Sequence, residues 1–338
     1  MESVAFFDAK SYDKLWFDRL KDRHGIHLKY FYNRLNPDTA ILAQGCRAAV
    51  AFVSDTLDAP AIDALRQAGV EAVALRSAGY NHVDLEYAQG TLRIFRVPAY
   101  SPHAIAEHAM ALLLCLNRKI HRAYNRVREY NFSLKDLMGF DLKGKTVGVV
   151  GTGKVGQAFI DICLGFGMRV LASDPYPISR YGVEYVSLPD LCRESDVISL
   201  HCPLTRESHH MINRHTLRLM RDGVVIINTS RGALIDSEAL LAAIKDEKVG
   251  AAGLDVYEEE EDFFYRDVSG SVIQDDTLKL LLATPNVLVT SHQAFLTDEA
   301  LRGIAETTLQ NLADYFTGRG SKNEVSYERV MAQTTINN

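Results

Sequence analysis

Cysteine is sparse and unpatterned. Cys46, Cys115, Cys163, Cys192 and Cys202 are scattered over 338 residues, and no two stand at CxxC spacing. Neither a cysteine zinc site nor a disulfide framework is indicated, and reduced thiols in a cytoplasmic compartment fit the pattern. There is no basic tract, and the formal charge is −6. No nucleic-acid partner and no anionic-membrane partner are therefore expected. The longest apolar run, AMALLLCL at 109–116, is too short to cross a bilayer. The start, MESVAFFDAK, lacks the basic and apolar segments of a signal peptide, so no leader is expected. Internal repeats and low-complexity segments are absent too. What remains is an ordinary globular composition, 47% hydrophobic and 24% charged, in a chain long enough for two domains.

Strand-like and helix-like patterns alternate throughout. SVAFF (3–7), AAVAFV (48–53), EAVALR (71–76) and LRIFR (92–96) read as strands. APAIDALRQAG (59–69) reads as a helix that Asp58 caps and Gly69 ends. Ser101 and Pro102 form an N-cap and first-turn pair, opening an amphipathic helix expected to run to about Tyr130. That helix is also a plausible subunit contact. A second series starts at Lys145, with strands TVGVV (146–150), RVLAS (169–173), DVISL (196–200), VVIIN (224–228), AAGLDV (251–256) and NVLVTS (286–291). The fold class is α/β, with a doubly wound parallel sheet. Such sheets bind ligands beyond the carboxyl ends of their strands, so the residue after each strand is the informative one.

The first of these ends carries GTGKVG, with Gly151, Gly153 and Gly156 opening a helix. Glycines at this spacing allow a tight turn and close approach to a pyrophosphate that rests on free N–H groups. The second ends in Asp174, 18 residues after Gly156. A carboxylate there accepts from ribose hydroxyls and repels a 2′-phosphate, favouring NAD over NADP. The third ends in HCPLT, whose backbone and small side chains can pack on the adenine or nicotinamide; His201 and Cys202 can equally be ordinary packing residues, and neither has a catalytic role. The fourth runs from apolar Val224–Ile227 into Asn228, Thr229, Ser230 and Arg231. A guanidinium at the mouth of so apolar a strand needs an anionic partner. The fifth end carries Asp255 and the acidic run Glu258–Glu261, and the sixth carries His292.

An arginine, a carboxylate and a histidine at one sheet edge suit the reduction of a 2-oxo acid. Arginine grips the substrate carboxylate in a planar fork. Histidine, with an unperturbed pKa of about 6.5, exchanges a proton with the substrate oxygen. The acid fixes its tautomer and stabilises the imidazolium.

GTGKVG, INTSRGALID, AAGLDVYEEE and SHQAF together resemble the D-isomer-specific 2-hydroxyacid dehydrogenases, over nearly the whole chain. LRSAGYNHVDL (75–85), VPAYSPHAIAEHA (97–109), FFYRDVSGSVIQDD (263–276) and SHQAFLTDEAL (291–301) look like the D-lactate dehydrogenase branch. The resemblance implies two doubly wound domains with the active-site cleft between them. One is a discontinuous, flavodoxin-like substrate domain over 1–100 and 299–338, to which a helix at about 299–318 returns. The other is an NAD-binding Rossmann domain over 101–298. It further implies Arg231 as substrate clamp, Glu260 as the partner of the histidine and His292 as acid/base. Glu260 stands five residues after Asp255, the family's spacing.

Ser77, Ala78 and Gly79 would lay backbone N–H groups on the substrate, with Tyr100 and Phe295 flanking it. The expected NAD contacts are Gly151, Gly153, Lys154, Val155, Gly156, Asp174, Cys202 and Pro203. Asn213, Thr229, Ser230, Arg231 and Asp255 complete the set. Reversible reduction of pyruvate to D-lactate by a homodimer or homotetramer is the activity implied. Glyoxylate, hydroxypyruvate or a 2-oxoisocaproate-type acid is the alternative substrate, and an NADH-sensing binding protein the alternative class. No metal site is expected: HAIAEH (103–108) lacks metal-helix spacing, and His209, His210 and His215 read as surface histidines.

Overall fold

The computed structural model describes residues 1–328; residues 329–338, the end of the expected substrate domain, lie outside the described residues. The chain divides into two units, Met1–Ser101 with Leu296–Asn338, and Pro102–Phe295.

The first unit opens with five parallel strands: β1 (Glu2–Phe6), β2 (Ile26–Tyr30), β3 (Ala48–Ala51), β4 (Ala72–Leu75) and β5 (Arg93–Phe95). AAVA and AVAL are buried at every position, as strands covered on both faces must be. The helix Ala59–Gln67 starts where Asp58 accepts the Ala61 N–H at 3.0 Å, and the chain turns out of it at Gly69, with φ +93°. Beneath the carboxyl end of β4, Arg76 is 1% exposed. It donates to the Asp8 carbonyl at 2.8 Å, faces Asp13 at 3.4 Å and stacks on the Phe52 ring at 4.1 Å.

The second unit holds a seven-stranded parallel sheet: β6 (Thr146–Val150), β7 (Arg169–Ser173), β8 (Val183–Tyr185), β9 (Val197–Leu200), β10 (Val224–Asn228), β11 (Val249–Leu254) and β12 (Val287–Val289). The order is β12-β11-β10-β9-β6-β7-β8, so the strand order reverses at β6, between β7 and β9. Alternate residues of β10 enter different cores. Val225 and Ile227 pack with Leu112 and Phe159, whereas Ile226 packs with Leu217, Leu240 and Leu281. Helices therefore cover both faces. The chain then returns to the first unit through the helix Asp298–Phe316 and β13 (Glu324–Val325), antiparallel to β5.

Three strands escape the sequence reading: β2, β8 and β13. They are edge or near-edge elements of mixed polarity, such as the half-buried VEY of β8. The long helix expected from Pro102 to about Tyr130 is in fact two, Pro102–Asn117 and Ile120–Arg128, broken at Lys119 with φ +54°. No glycine or proline marks the break. The Asn117 amide instead donates to the Phe140 carbonyl at 2.7 Å and accepts its N–H at 2.9 Å, which stops the first helix there.

Candidate active site

The turn after β6 is shaped to admit a phosphate. Gly151 has φ +91°, and a Cβ there would lie 2.6 Å from the Cys202 nitrogen. A Cβ on Gly156 would lie 2.0 Å from the Gly151 oxygen, so both positions exclude a side chain. Gly153 differs: a Cβ there meets nothing within 4 Å, and no side chain caps the helix Lys154–Gly165 that it starts. Lys154 and Val155 fill that uncapped first turn, whose N–H groups suit a pyrophosphate. Asp174, at the end of β7, accepts the Thr152 N–H at 2.6 Å and hydroxyl at 3.0 Å on one oxygen, and the Tyr176 N–H at 2.8 Å on the other. Carboxylate lone pairs remain for a ribose. At the end of β10, Ser230 donates to the Cys202 carbonyl at 2.6 Å, while the buried Thr229 hydroxyl has no hydrogen-bond partner among the described residues. An open phosphate cradle and an orphaned hydroxyl on the strand ends either side of β9 fit a dinucleotide.

Other expected cofactor contacts are occupied by the chain itself. Asn213 caps the helix Arg214–Leu219, accepting from His215 and Thr216 and donating to the His210 carbonyl at 2.8 Å. Burial pushes the Cys202 thiol up to about 11, and the Pro203 carbonyl accepts the Ser208 hydroxyl at 2.8 Å.

The polar groups converge because β10, β11 and β12 are parallel neighbours in register, with Asn228 beside Leu254 and Leu254 beside Val289. Arg231, Asp255 and His292 leave adjacent strand ends. Arg231 donates from Nη1 to the Ser230 carbonyl at 2.7 Å and makes no ion pair among the described residues. The Gly232 backbone beside it packs directly on the next loop, where a Cβ would lie 2.0 Å from the Tyr257 carbonyl carbon. Tyr257 in turn donates its N–H to Glu260 Oε2 at 3.0 Å, and Glu260 Oε1 meets His292 Nδ1 at 2.7 Å. A carboxylate only accepts, so Nδ1 carries a proton and Nε2 is the exchanging nitrogen. Nε2 has no protein partner among the described residues, and the ring is 19% exposed.

The histidine is held in a costly shape. His292 has φ +51°, a region that strains a non-glycine residue. Its N–H donates to the Asp255 carbonyl at 2.7 Å, and the His292 carbonyl accepts the Tyr265 hydroxyl at 3.1 Å. The Asp255 side chain, 0% exposed, clamps the same segment. It accepts from Thr290 at 2.5 Å and from the N–H groups of Gln293 and Ala294 at 2.9 Å each. His108 Nε2 joins this bracket, 3.3 Å from Asp255 and 3.1 Å from Thr290. Burial by itself raises an aspartate, but these donors outweigh it and hold the carboxyl below its usual range. Asp255 thus has its carboxylate filled by the chain's own donors. Sequence reasoning missed Thr290 and Tyr265, and placed His108 as plain structure. No local signal links His108 to a residue 182 positions away.

Ser77, Ala78, Gly79 and Tyr100 belong to the first unit, Phe295 to the second. At the end of β4, Ser77 donates to the Gly79 carbonyl at 2.9 Å, and Arg96 to the Ala78 carbonyl at 3.1 Å.

Comparison with known proteins is consistent along the chain. Residues 110–294 match the model of the D-isomer specific 2-hydroxyacid dehydrogenase NAD binding domain. A D-lactate dehydrogenase of Escherichia coli (strain K12) is 51% identical over 326 residues, 95% of this chain and 99% of that protein. The apo-structure of D-lactate dehydrogenase from Escherichia coli superposes with a TM-score of 0.88, at 49% identity over 96% of this chain and 99% of that one. The pyruvate reductase of Chlamydomonas reinhardtii superposes with a TM-score of 0.91, at 42% identity over 96% and 98%.

Proposed function

Because the chain belongs to the D-isomer specific 2-hydroxyacid dehydrogenases and carries their NAD-binding domain, we propose that it reduces pyruvate reversibly to D-lactate. When bound, NADH supplies the hydride. Gly151, Gly153, Gly156 and the N–H groups of the following turn hold the pyrophosphate, and Asp174 the adenosine ribose. Arg231 binds the substrate carboxylate, the anion its guanidinium lacks among the described residues. His292 Nε2 gives its proton to the carbonyl oxygen of the substrate as that oxygen gains negative charge, and regains one from solvent. Glu260 fixes the tautomer and balances the imidazolium. Backbone N–H groups of Ser77–Gly79 add to the grip on the carboxylate, with Tyr100 and Phe295 against the small methyl end.

One observation carries the reading: the His292–Glu260 pair, at 2.7 Å, leaves Nε2 free on the strand end next but one to Arg231. The test is NADH oxidation by the purified protein with pyruvate, glyoxylate, hydroxypyruvate and 2-oxoisocaproate. Pyruvate should give the highest kcat/KM. A better larger acid would overturn the substrate, and no oxidation with any of them would favour an NADH sensor.

Among the described residues no helix is long and apolar enough to cross a membrane, and all five cysteines are free; a cytoplasmic site of action suits both. The exposed run Ile120, Tyr124, Val127, Tyr130, Phe132 and Leu134 suits burial against a second copy, as a homodimer or homotetramer. A monomer in sedimentation experiments would count against that.

A further inference from the structure

Two histidines outside this machinery do more than decorate the surface. His209 and His210 lie between β9 and the helix Arg214–Leu219, their rings stacked with centroids 4.0 Å apart and planes 25° from parallel. His210 Nε2 meets the Glu258 carboxylate in a hydrogen-bonded pair. One ligand atom each from His209, His210 and Glu258 all fall within 4.8 Å of one another. His210 stands in the left-handed region, φ +49°, which a histidine keeps only where its neighbours hold it. They do: its N–H donates to the Ala233 carbonyl at 2.8 Å, and its carbonyl accepts from Asn213 at 2.8 Å. Glu258 is equally anchored, since Gly232 packs against the Tyr257–Glu258 backbone, with a hypothetical Cβ 2.3 Å from the Glu258 nitrogen. The His209 ring is exposed, while the backbone N–H of the residue donates to the Thr205 carbonyl at 3.0 Å.

The geometry points to a site for one divalent transition-metal ion of the zinc class, bound by His209, His210 and Glu258, with water in the fourth position. Two imidazole nitrogens and a carboxylate oxygen are a tetrahedral zinc donor set, with bonds of about 2.0–2.2 Å. Magnesium and calcium seek oxygen shells instead. Tetrahedral bonds of that length place the ligand atoms about 3.3 Å apart. The His210–Glu258 pair therefore opens slightly to admit the ion, and the exposed His209 ring is the part free to swing in. His210 and Glu258 are already together; the ion takes the place of the proton between them, and the neutral imidazole carries its proton on Nδ1 instead. Binding ties the 205–213 segment to the turn that carries Glu260, two residues beyond Glu258, and so to the partner of His292.

The test is calorimetric titration of zinc chloride into the metal-stripped full chain, beside His209→Ala, Glu258→Gln and His292→Ala. One ion per chain is expected. Affinity should fall about tenfold or more in His209→Ala and Glu258→Gln and stay unchanged in His292→Ala. Cobalt(II) in the same site should show the intense visible bands of four-coordination. No saturable binding, binding untouched in His209→Ala, or binding lost in His292→Ala would each overturn the assignment. His209 is exposed, so its variant keeps the fold and the result stays readable.

Discussion

Replacing Asp255 with asparagine should detach the segment that holds His292. The carboxylate sits fully buried at the end of β11 and takes three donors on Oδ1 (Thr290, Gln293 and His108) and the Ala294 N–H on Oδ2. Asparagine offers one accepting oxygen and one donating NH2. If the NH2 faces Ala294, two donors oppose each other; if it faces the other side, three donors lose their acceptor. One buried N–H left without a partner costs about 1–3 kcal/mol, and each bond that loses its charged acceptor about another 1 kcal/mol. With one donor opposed and three left on a neutral oxygen, the sum is roughly 4–6 kcal/mol, against a typical domain stability of about 5–15 kcal/mol. The strained φ of His292 makes that segment the first to open. Trp16, the single tryptophan, lies in the first unit, so fluorescence does not report the event. Hydrogen exchange at the amides of residues 290–294 does, alongside turnover. Asp255→Asn should exchange faster by two or more orders of magnitude, about 3 kcal/mol, and lose most activity. The folded carboxyl titrates below its unfolded value, so its contribution is present above about pH 4 and fades as pH falls. The difference from the parent should shrink in acid. Exchange within threefold of the parent, with turnover retained, would refute the bracket.

Three further outcomes are expected. Glu260→Gln removes the countercharge and tautomer anchor of His292, worth about 1.5–3 kcal/mol for a charged hydrogen bond, so kcat for pyruvate reduction should fall by about tenfold or more with NADH affinity unchanged; a parental kcat would contradict the pairing role. Asp174→Ala should weaken NADH by about tenfold or more and raise relative use of NADPH; comparative kinetics with the two cofactors check it, and an unchanged ratio removes Asp174 from the ribose. In the first unit, burial raises Asp55 to about 6, only partly offset by the Phe52 and Leu35 N–H groups and Arg76, while burial lowers His82 to about 4. Folded Asp55 keeps a proton that the unfolded chain releases, so its contribution falls as pH rises from about 4 to 6. His82 refuses a proton that the unfolded chain binds, so its contribution falls as pH drops from about 6.5 to 4. The two nearly cancel. His82→Gln should expose a decline of up to about 3 kcal/mol between pH 4 and 6, read from Trp16 fluorescence during urea unfolding, and a flat profile would sink this account.

Much of the architecture is legible because parallel strands buried on both faces are written as unbroken apolar runs. VVIIN and TVGVV are buried at all five positions, and the polar residue that follows such a run is conspicuous. Edge strands carry no such mark: β8 is three residues with no fully buried position. The break at Lys119 is equally silent, because it depends on Asn117 meeting Phe140, 23 residues on. At the candidate site the glycine turn and the unpaired Arg231 stand out from local pattern alone. The choice of Glu260 among four consecutive glutamates does not; it rests on family spacing, and only the fold shows which carboxylate reaches the histidine. The bracket of Asp255, Thr290 and His108 is closed entirely by tertiary structure. So is the cluster of His209 and His210 with Glu258, which sequence distance hides.

The most direct measurement pairs turnover with cofactor affinity in His292→Ala. Removing the proton donor should lower kcat for pyruvate reduction by about a hundredfold or more while the NADH dissociation constant stays within twofold of the parent. A variant that turns over pyruvate at the parental rate, or one whose lost activity follows from lost NADH binding, would contradict the account.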